Sequence, residues 1–355
     1  MIEFISENLL FPFILAFICT LIFNILLIPL ATRLGLVDIP GGRKLHQAPT
    51  PLVGGIAMFL AFGMACLCTA ISLKDYRAFS AISLLLVFTG VLDDFHELSP
   101  KSRLFVQIFS GLLMVLWGKV ILLSLGGLFT PHEVQIHFVL GLIISICAVV
   151  GVINAVNMLD GVDGLVGTMV FIQFLLFIYL AMTAHLLVEV LVLSILVAVI
   201  LGYLWFNFPF PGRKHAVIFM GDAGSMFLGF ALVWFAIYLS QEPHRAASPV
   251  TFLWIMMIPL FDIGAIIIRR LLHKRSPLKP DREHIHHLLQ ALGLNNLKVV
   301  LVLSSITLIA GLCGIFAHEL AITSNVMFII FLGVFCLYVI LAEILWRTIK
   351  RKSIV

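Results

Sequence analysis

From Leu9 onward the chain alternates long apolar runs with short polar breaks. A bilayer core takes about 20 apolar residues per helix, and the pattern predicts about eleven crossings, at 9–32, 52–71, 79–92, 104–125, 137–157, 165–183, 186–208, 223–240, 250–268, 298–317 and 325–346. The run at 79–92 is short for a full span. The polar breaks between runs are short, so the expected fold is an all-α polytopic integral membrane protein, a single transmembrane helix bundle over residues 1–355. Glu3 and Glu7, with no Lys or Arg, precede the first run. That is the wrong charge for a cleaved signal peptide, and a retained first helix is expected.

Composition strengthens this reading. Hydrophobic residues make up 62% of the chain and charged residues 11%, whereas a soluble domain carries about a quarter charged. The six cysteines all fall inside predicted spans, without the spacing of a zinc site or a disulfide framework, and read as packing residues. The net charge of +4 matters less than its distribution. With eleven alternating spans, 18 of the 22 basic residues fall on one side, and only Lys74, Arg77, Lys119 and Arg245 on or near the other. The positive-inside rule makes the first side cytoplasmic, with the N-terminus outside and the C-terminus inside.

The acidic residues then sort in the same direction. Asp93 and Asp94, Asp160 and Asp163, Asp222, and the segment Asp281 to His287 all reach the cytoplasmic face, whereas the outer loops hold scattered single acids. A composite site is expected there, built from loops 33–52, 93–103, 157–165, 207–225 and 269–298.

Four stretches carry the chemistry. In GVLDDFHELSPKSR the adjacent Asp93 and Asp94 repel unless a cation, a proton or a basic neighbour such as Lys101 or Arg103 compensates. In NAVNMLDGVDGL, Asn154, Asn157, Asp160 and Asp163 recur every three residues, which stacks them along one helical face, with Gly161 and Gly164 allowing close backbone approach. Such oxygen-only donors suit magnesium, which usually shares its coordination sphere with substrate phosphates. VIFMGDAGSMFLG sets Asp222 at a glycine-rich helix start behind Phe219, with no Walker-type sequence. PDREHIHHLLQ brings His284, His286 and His287 together among arginines and lysines, a composition suited to phosphate recognition, while a zinc site lacks a cysteine partner. Lys44 and His46, in the first cytoplasmic loop, stand within reach of a lipid headgroup phosphate. Asp262 lies inside a span, where an acid is costly, and is expected to support the site.

LDDFHELSPKSR, NAVNMLDGVDGL, FMGDAGS and PDREHIHHLL, in that order across a multi-span chain, resemble the polyprenyl-phosphate N-acetylhexosamine-1-phosphate transferases. The HIHH form of the last motif resembles the bacterial branch that uses undecaprenyl phosphate and UDP-N-acetylglucosamine. The resemblance implies a magnesium-dependent enzyme of the bacterial inner membrane, with manganese as an alternative cation and the active site facing the cytoplasm. It would release UMP and begin lipid-linked surface polysaccharides such as O-antigen and enterobacterial common antigen. It further implies Asp222 and Asn157 as metal residues, with Asp93 as a further candidate. Asp163, Phe219 and Asn207 would lie on the nucleotide side, with Asn154 also on the substrate face. His284, His286 and His287 would stand near the pyrophosphate and sugar, and Arg103 near the transferred phosphate. Asp93, Asp94, Asp160, Asp163 and His286 would be the catalytic set. The implied partners are UDP-N-acetylglucosamine, undecaprenyl phosphate and membrane lipids; no nucleic acid is expected, and a homodimer is compatible with the reading. Direct attack and a two-step route through an aspartyl-phosphate both remain open.

Two other classes fit the sequence less well. A secondary transporter would place its acids near the midplane between internal repeats, and no repeat is visible. An intramembrane aspartyl protease needs a glycine where Phe219 stands. Within the transferase reading, another UDP-N-acetyl-amino sugar is the alternative donor.

Overall fold

The computed structural model describes residues 8–39, 49–130, 132–210, 212–213, 215–272, 274 and 283–352. These residues form thirteen α-helices and one two-stranded antiparallel ribbon. In chain order the elements are α1 Leu10–Leu34, β1 Val37–Asp38, β2 Thr50–Pro51, α2 Gly54–Leu67, α3 Arg77–His96, α4 Pro100–Leu116, α5 Phe138–Leu159, α6 Leu165–Thr183, α7 Leu187–Asn207, α8 Gly221–Tyr238, α9 Pro249–Ile255, α10 Met257–Leu272, α11 Ile285–Ala291, α12 Asn296–Glu319 and α13 Ser324–Lys352.

The all-helical, membrane-spanning character agrees with the sequence, while the count of eleven full spans is not confirmed. Among the described residues eight helices are long and apolar enough to cross a membrane, or nine if α9 and α10 count as one broken span. Each predicted run does correspond to a helix or a broken pair, but α2 has only 14 residues and α4 only 17. Helix α4 opens on Ser99, whose hydroxyl accepts from Ser102 N at 3.2 Å with Pro100 in the first turn, and it stops at Leu116. The apolar residues beyond it instead form an irregular segment bridged between Ser124 and Gln135.

The break between α9 and α10, a bend of 82°, has a local cause. Pro259 lacks the N–H that would bond the carbonyl four residues earlier, that of Ile255. The buried Gln173 of α6 supplies the donor instead, Nε2 to Ile255 O at 3.1 Å. A freed carbonyl at membrane depth requires such a partner.

Helices α7 and α8 are enclosed along most of their length, while α1 and α13 are largely exposed on the outside of the bundle. Helix α8 is the axis: it packs most extensively on α3 and α5. At one crossing Phe79 stacks on Phe230 with ring centroids 5.8 Å apart and meets Trp234 edge-on at 5.3 Å. The six cysteines are free thiols, and Cys68, Cys147, Cys313 and Cys336 are exposed rather than packed.

Backbone contacts gather the other end of α8. Gly54 N and Gly55 N donate to Phe219 O and Met220 O, both at 3.0 Å, and Phe219 N donates to Pro51 O at 2.9 Å. The start of α2 is thereby tied to the start of α8, beside the C-terminal end of α3. At the far end of α8, His244 joins Tyr238 at 3.0 Å and Glu189 at 3.3 Å.

Candidate active site

The carboxylates meet where α3 ends and α8 begins. Asp93 is 5% exposed and both its oxygens are engaged: Oδ1 accepts from Leu98 N at 2.7 Å and Oδ2 from Arg103 Nη1 at 3.0 Å. Glu97, left-handed at φ 48°, ends α3 and turns the chain so that Arg103 on α4 returns to Asp93. Asp94 Oδ1 accepts from Asp222 N at 3.0 Å, while its buried Oδ2 has no hydrogen-bond partner among the described residues. Gly221, at φ 67°, leaves room for that carboxylate, since a Cβ there would lie 3.1 Å from Asp94 Cγ and closer still to Oδ2. Asp222 Oδ1 accepts from Asn157 Nδ2, whose amide also donates to Ser225 Oγ at 2.9 Å. Asp222 Oδ2 stands 3.7 Å from Arg103 Nη1.

The DGVDG turn forms the second wall. Asp160 follows the last residue of α5. Burial, with the charges of Asp222 and Asp163 adding to it, pushes its carboxyl up to about 7. Asp163 Oδ2 accepts from Ala216 N at 3.1 Å. Asn207 clasps the turn to the loop before α8, accepting from Gly164 N at 2.7 Å and donating to Ile218 O at 2.8 Å.

The cavity between these walls measures about 880 Å³ and is lined by Asp93, Asp94, Arg103, Asn157, Asp160, Asp163, Asn207, Phe219, Asp222 and His287, among others. All of these are residues the sequence singled out. Three further sequence candidates stand apart from its wall. Asn154 turns away to donate to Gln107 Oε1 at 2.6 Å, between α5 and α4. His284 is buried against Asp262, Nδ1 to Oδ2 at 2.7 Å. His286, 1% exposed, lies directly behind the wall: a Cβ on Gly161 would sit 2.5 Å from His286 Nε2. Lys44 and His46 lie outside the described residues.

Sequence reasoning did not single out Asp38, Glu97, His215, Gln290 and Asn296, which also line the cavity. Asp38 and Glu97 carried a usable signal, as acids on the predicted cytoplasmic face; Gln290 and Asn296 carried none. Gln290 bonds His287 at 3.3 Å and Asn296 at 3.0 Å.

Asp38, Asp93, Asp94, Glu97, Asp160, Asp163 and Asp222 all line this cavity, and Arg103 is the one lysine or arginine among the described lining residues. A phosphate-bearing ligand would enter such a cavity only with added positive charge. Among the described residues no three His, Cys, Asp or Glu side chains converge as a self-contained metal site. The oxygen donors fit the other arrangement, in which a hard cation takes one or two carboxylates and completes its sphere with substrate phosphates and water. The unpartnered Asp94 Oδ2 beside Asp222 is a vacancy in the protein's own hydrogen bonding that suits it.

His286 gives a test of the wall. Burial holds its imidazole well below the usual value, and the neighbouring His287 and His284 add to the effect. The folded segment therefore prefers the neutral ring. Its stability is full above about pH 6.5 and falls as pH drops below that value, by about 1.4 kcal/mol per pH unit for one proton. The protection factors of the α11 amides, each taken against the intrinsic exchange rate at its own pH, are expected to fall between pH 6.5 and 4.5 in the wild type, and to fall less in His286→Asn. Equal pH dependence in both would mean that another group opens the segment.

Comparison with known proteins supplies a family. The family described as Glycosyl transferase family 4 matches residues 76–240, from the start of α3 to just beyond α8. The chain is 36% identical over 321 residues to the undecaprenyl-phosphate alpha-N-acetylglucosaminyl 1-phosphate transferase of Yersinia pestis, covering 90% of this chain and 87% of the relative. The protein of that name from Escherichia coli K12 is 35% identical over 348 residues, covering 94% and 92%. The one from Haemophilus influenzae is 36% identical over 324 residues, covering 90% of each chain.

Proposed function

Because the chain belongs to glycosyl transferase family 4 and aligns over nine-tenths of its length with undecaprenyl-phosphate alpha-N-acetylglucosaminyl 1-phosphate transferases, we propose that it transfers N-acetylglucosamine-1-phosphate from UDP-N-acetylglucosamine to undecaprenyl phosphate. The products are undecaprenyl-diphospho-N-acetylglucosamine and UMP, and the lipid product would open the synthesis of a surface polysaccharide such as O-antigen or enterobacterial common antigen. The observation that carries this reading is the junction of Asp94, Asp222, Asn157 and Arg103 at the end of an apolar bundle. The excess of basic residues on one predicted side supports an inner-membrane enzyme whose cavity faces the cytoplasm.

In the reaction an oxygen of the acceptor phosphate forms a bond to the sugar-linked phosphorus of the donor. The bond from that phosphorus to the bridging oxygen breaks, and UMP leaves with the electron pair. Such transfers depend chiefly on alignment and on stabilising charge. Asp93, with both oxygens already engaged, acts as the anchor for Arg103. Arg103, reaching from Asp93 toward Asp222, is placed to meet the transferred phosphoryl group. Asp94 keeps one oxygen without a partner among the described residues and is the group suited to take a residual proton from the acceptor phosphate. Asp163, Asn207 and Phe219 form the wall suited to the uridine, and His287 the wall suited to the sugar side. Asp222 and Asn157, with Asp94 beside them, would hold a magnesium ion, with manganese as a substitute. That ion supplies charge neutralisation on the diphosphate and leaving group when bound.

The test is a product assay with purified protein, undecaprenyl phosphate, magnesium and UDP-N-acetylglucosamine, following UMP release and the lipid product by mass spectrometry. Equimolar UMP and lipid-diphospho-N-acetylglucosamine are expected. Turnover only with a different UDP-N-acetyl-amino sugar would change the donor. Failure of folded protein with every such donor would overturn the reading.

A further inference from the structure

The transfer mechanism leaves a set of buried charges behind the His segment unused. Asp262 on α10 is 3% exposed, and both its oxygens are committed to the residues that begin α11. Oδ2 meets His284 Nδ1 at 2.7 Å, and Oδ1 accepts from Ile285 N at 2.8 Å. Tyr338 of α13 donates to Oδ1 from 3.4 Å. Two helical turns along α10, Arg269 is 5% exposed and holds Glu283 at 3.0 Å and Glu343 of α13 at 2.8 Å. Trp346 Nε1, also on α13, donates to Glu283 O at 3.2 Å. The three residues 283–285 are thus pinned from two helices at once.

A carboxylate buried to this degree is costly unless its oxygens are satisfied, and here the groups that satisfy it belong almost entirely to one segment. That segment needs an outside hold. Helix α11 has seven residues, too few to be stable alone, yet it sets His287 and Gln290 on the cavity wall and wedges His286 behind Gly161. We infer that Asp262 is a positioning residue for phosphoglycosyl transfer: by holding His284 and the Ile285 N–H, it fixes where α11 presents His287 to the donor. The C-terminal helix α13 is the backing of this arrangement, although it lies beyond the segment matched by the family.

The inference rests on the transferase reading, and a double-mutant cycle tests it separately. Asp262→Ala is expected to lower kcat/KM for the donor by about 10²-fold, the scale of a misplacement of about 1 Å. The KM for undecaprenyl phosphate is expected to stay within about twofold. Asp262→Asn keeps an oxygen for Ile285 N–H and should recover much of the loss. In a His287→Ala background Asp262→Ala should cost less than about threefold more, because the group it positions is already gone. Equal losses in both backgrounds, or wild-type activity in Asp262→Ala, would overturn the inference. So would failure of both Asp262 variants to fold, since Asp262 would then be a residue of stability alone. If wild-type protein turns over no donor, the function fails by itself, and the cycle is read on UDP binding by thermal shift. Stabilisation of wild type by UDP that is lost in Asp262→Ala and largely kept in Asp262→Asn would uphold the inference, and any other pattern would overturn it.

Discussion

Asp222→Ala is expected to lower kcat by about 10³-fold or more, the scale on which single charge-organising groups act in phosphoryl and acyl transfer. The protein should remain folded. Asp222 accepts from Asn157, faces Arg103 at 3.7 Å, and through its own backbone N–H fixes Asp94. Alanine keeps the backbone bond to Asp94 and leaves Asn157 its second partner, Ser225. It also removes one of several carboxylates crowded into one junction, which relieves repulsion rather than adding it. The melting temperature is therefore expected to stay within a few degrees of wild type while turnover collapses. A magnesium titration completes the experiment: activity restored at saturating magnesium would sink the role assigned to this carboxylate.

Gly90→Ala is expected to have the second largest effect, although Gly90 touches no substrate. A Cβ at Gly90 would sit 2.5 Å from Asp222 C and closer still to N and Cα of Ala223. The obstacle is backbone and cannot swing aside, so α3 and α8 must separate. That separation stretches the bond from Asp222 N to Asp94 Oδ1, now 3.0 Å. Turnover should fall by about 10²-fold, as a misplacement of about 1 Å does, and the melting temperature should fall with it. Gly63→Ala on α2 is the control, because nothing lies within 4 Å of a Cβ there. It should match or slightly exceed wild-type stability, since alanine favours a helix over glycine by about 1 kcal/mol. Comparable activity in the two variants would mean that the helix crossing tolerates the added methyl.

These two residues also mark how far the sequence could be read. Asp222 was legible, because a carboxylate between glycines at the mouth of an apolar run has few bland explanations. The importance of Gly90 was not, since its contact partner, Ala223, lies far away in sequence. The repeat Asn154, Asn157, Asp160, Asp163 shows the boundary clearly. A spacing of three falls short of a 3.6-residue turn by about 60° at each step. Asn157, Asp160 and Asp163 reach the cavity, while Asn154, one turn deeper, rotates toward Gln107 of α4. Local periodicity named the right group of residues and placed one too many on the face. The break within the ninth apolar run was hidden for a related reason. Hydropathy sees the apolar run 250–268 as continuous, whereas Pro259 removes a backbone donor and the chain bends there. Asp262 could be recognised as costly from its position in that run, but its partners come from residues 284, 285 and 338.

The glycine-to-backbone crossings of α2 and α3 on α8 divide the cavity wall into two parts with different capacities for change. Around Gly90 and Gly55, main chain lies against main chain: a Cβ on Gly55 would stand 2.7 Å from Met220 O and closer to Gly224. Nothing in that part can be resized without moving Asp94 and Asp222 together. Opposite it, His215 sits on a connecting loop, and His287 and Gln290 sit on the short α11, so their side chains can be exchanged without disturbing the crossing. Redesign toward a different donor therefore has a route: keep the reaction centre, a rigid junction of main chain, and vary the rim.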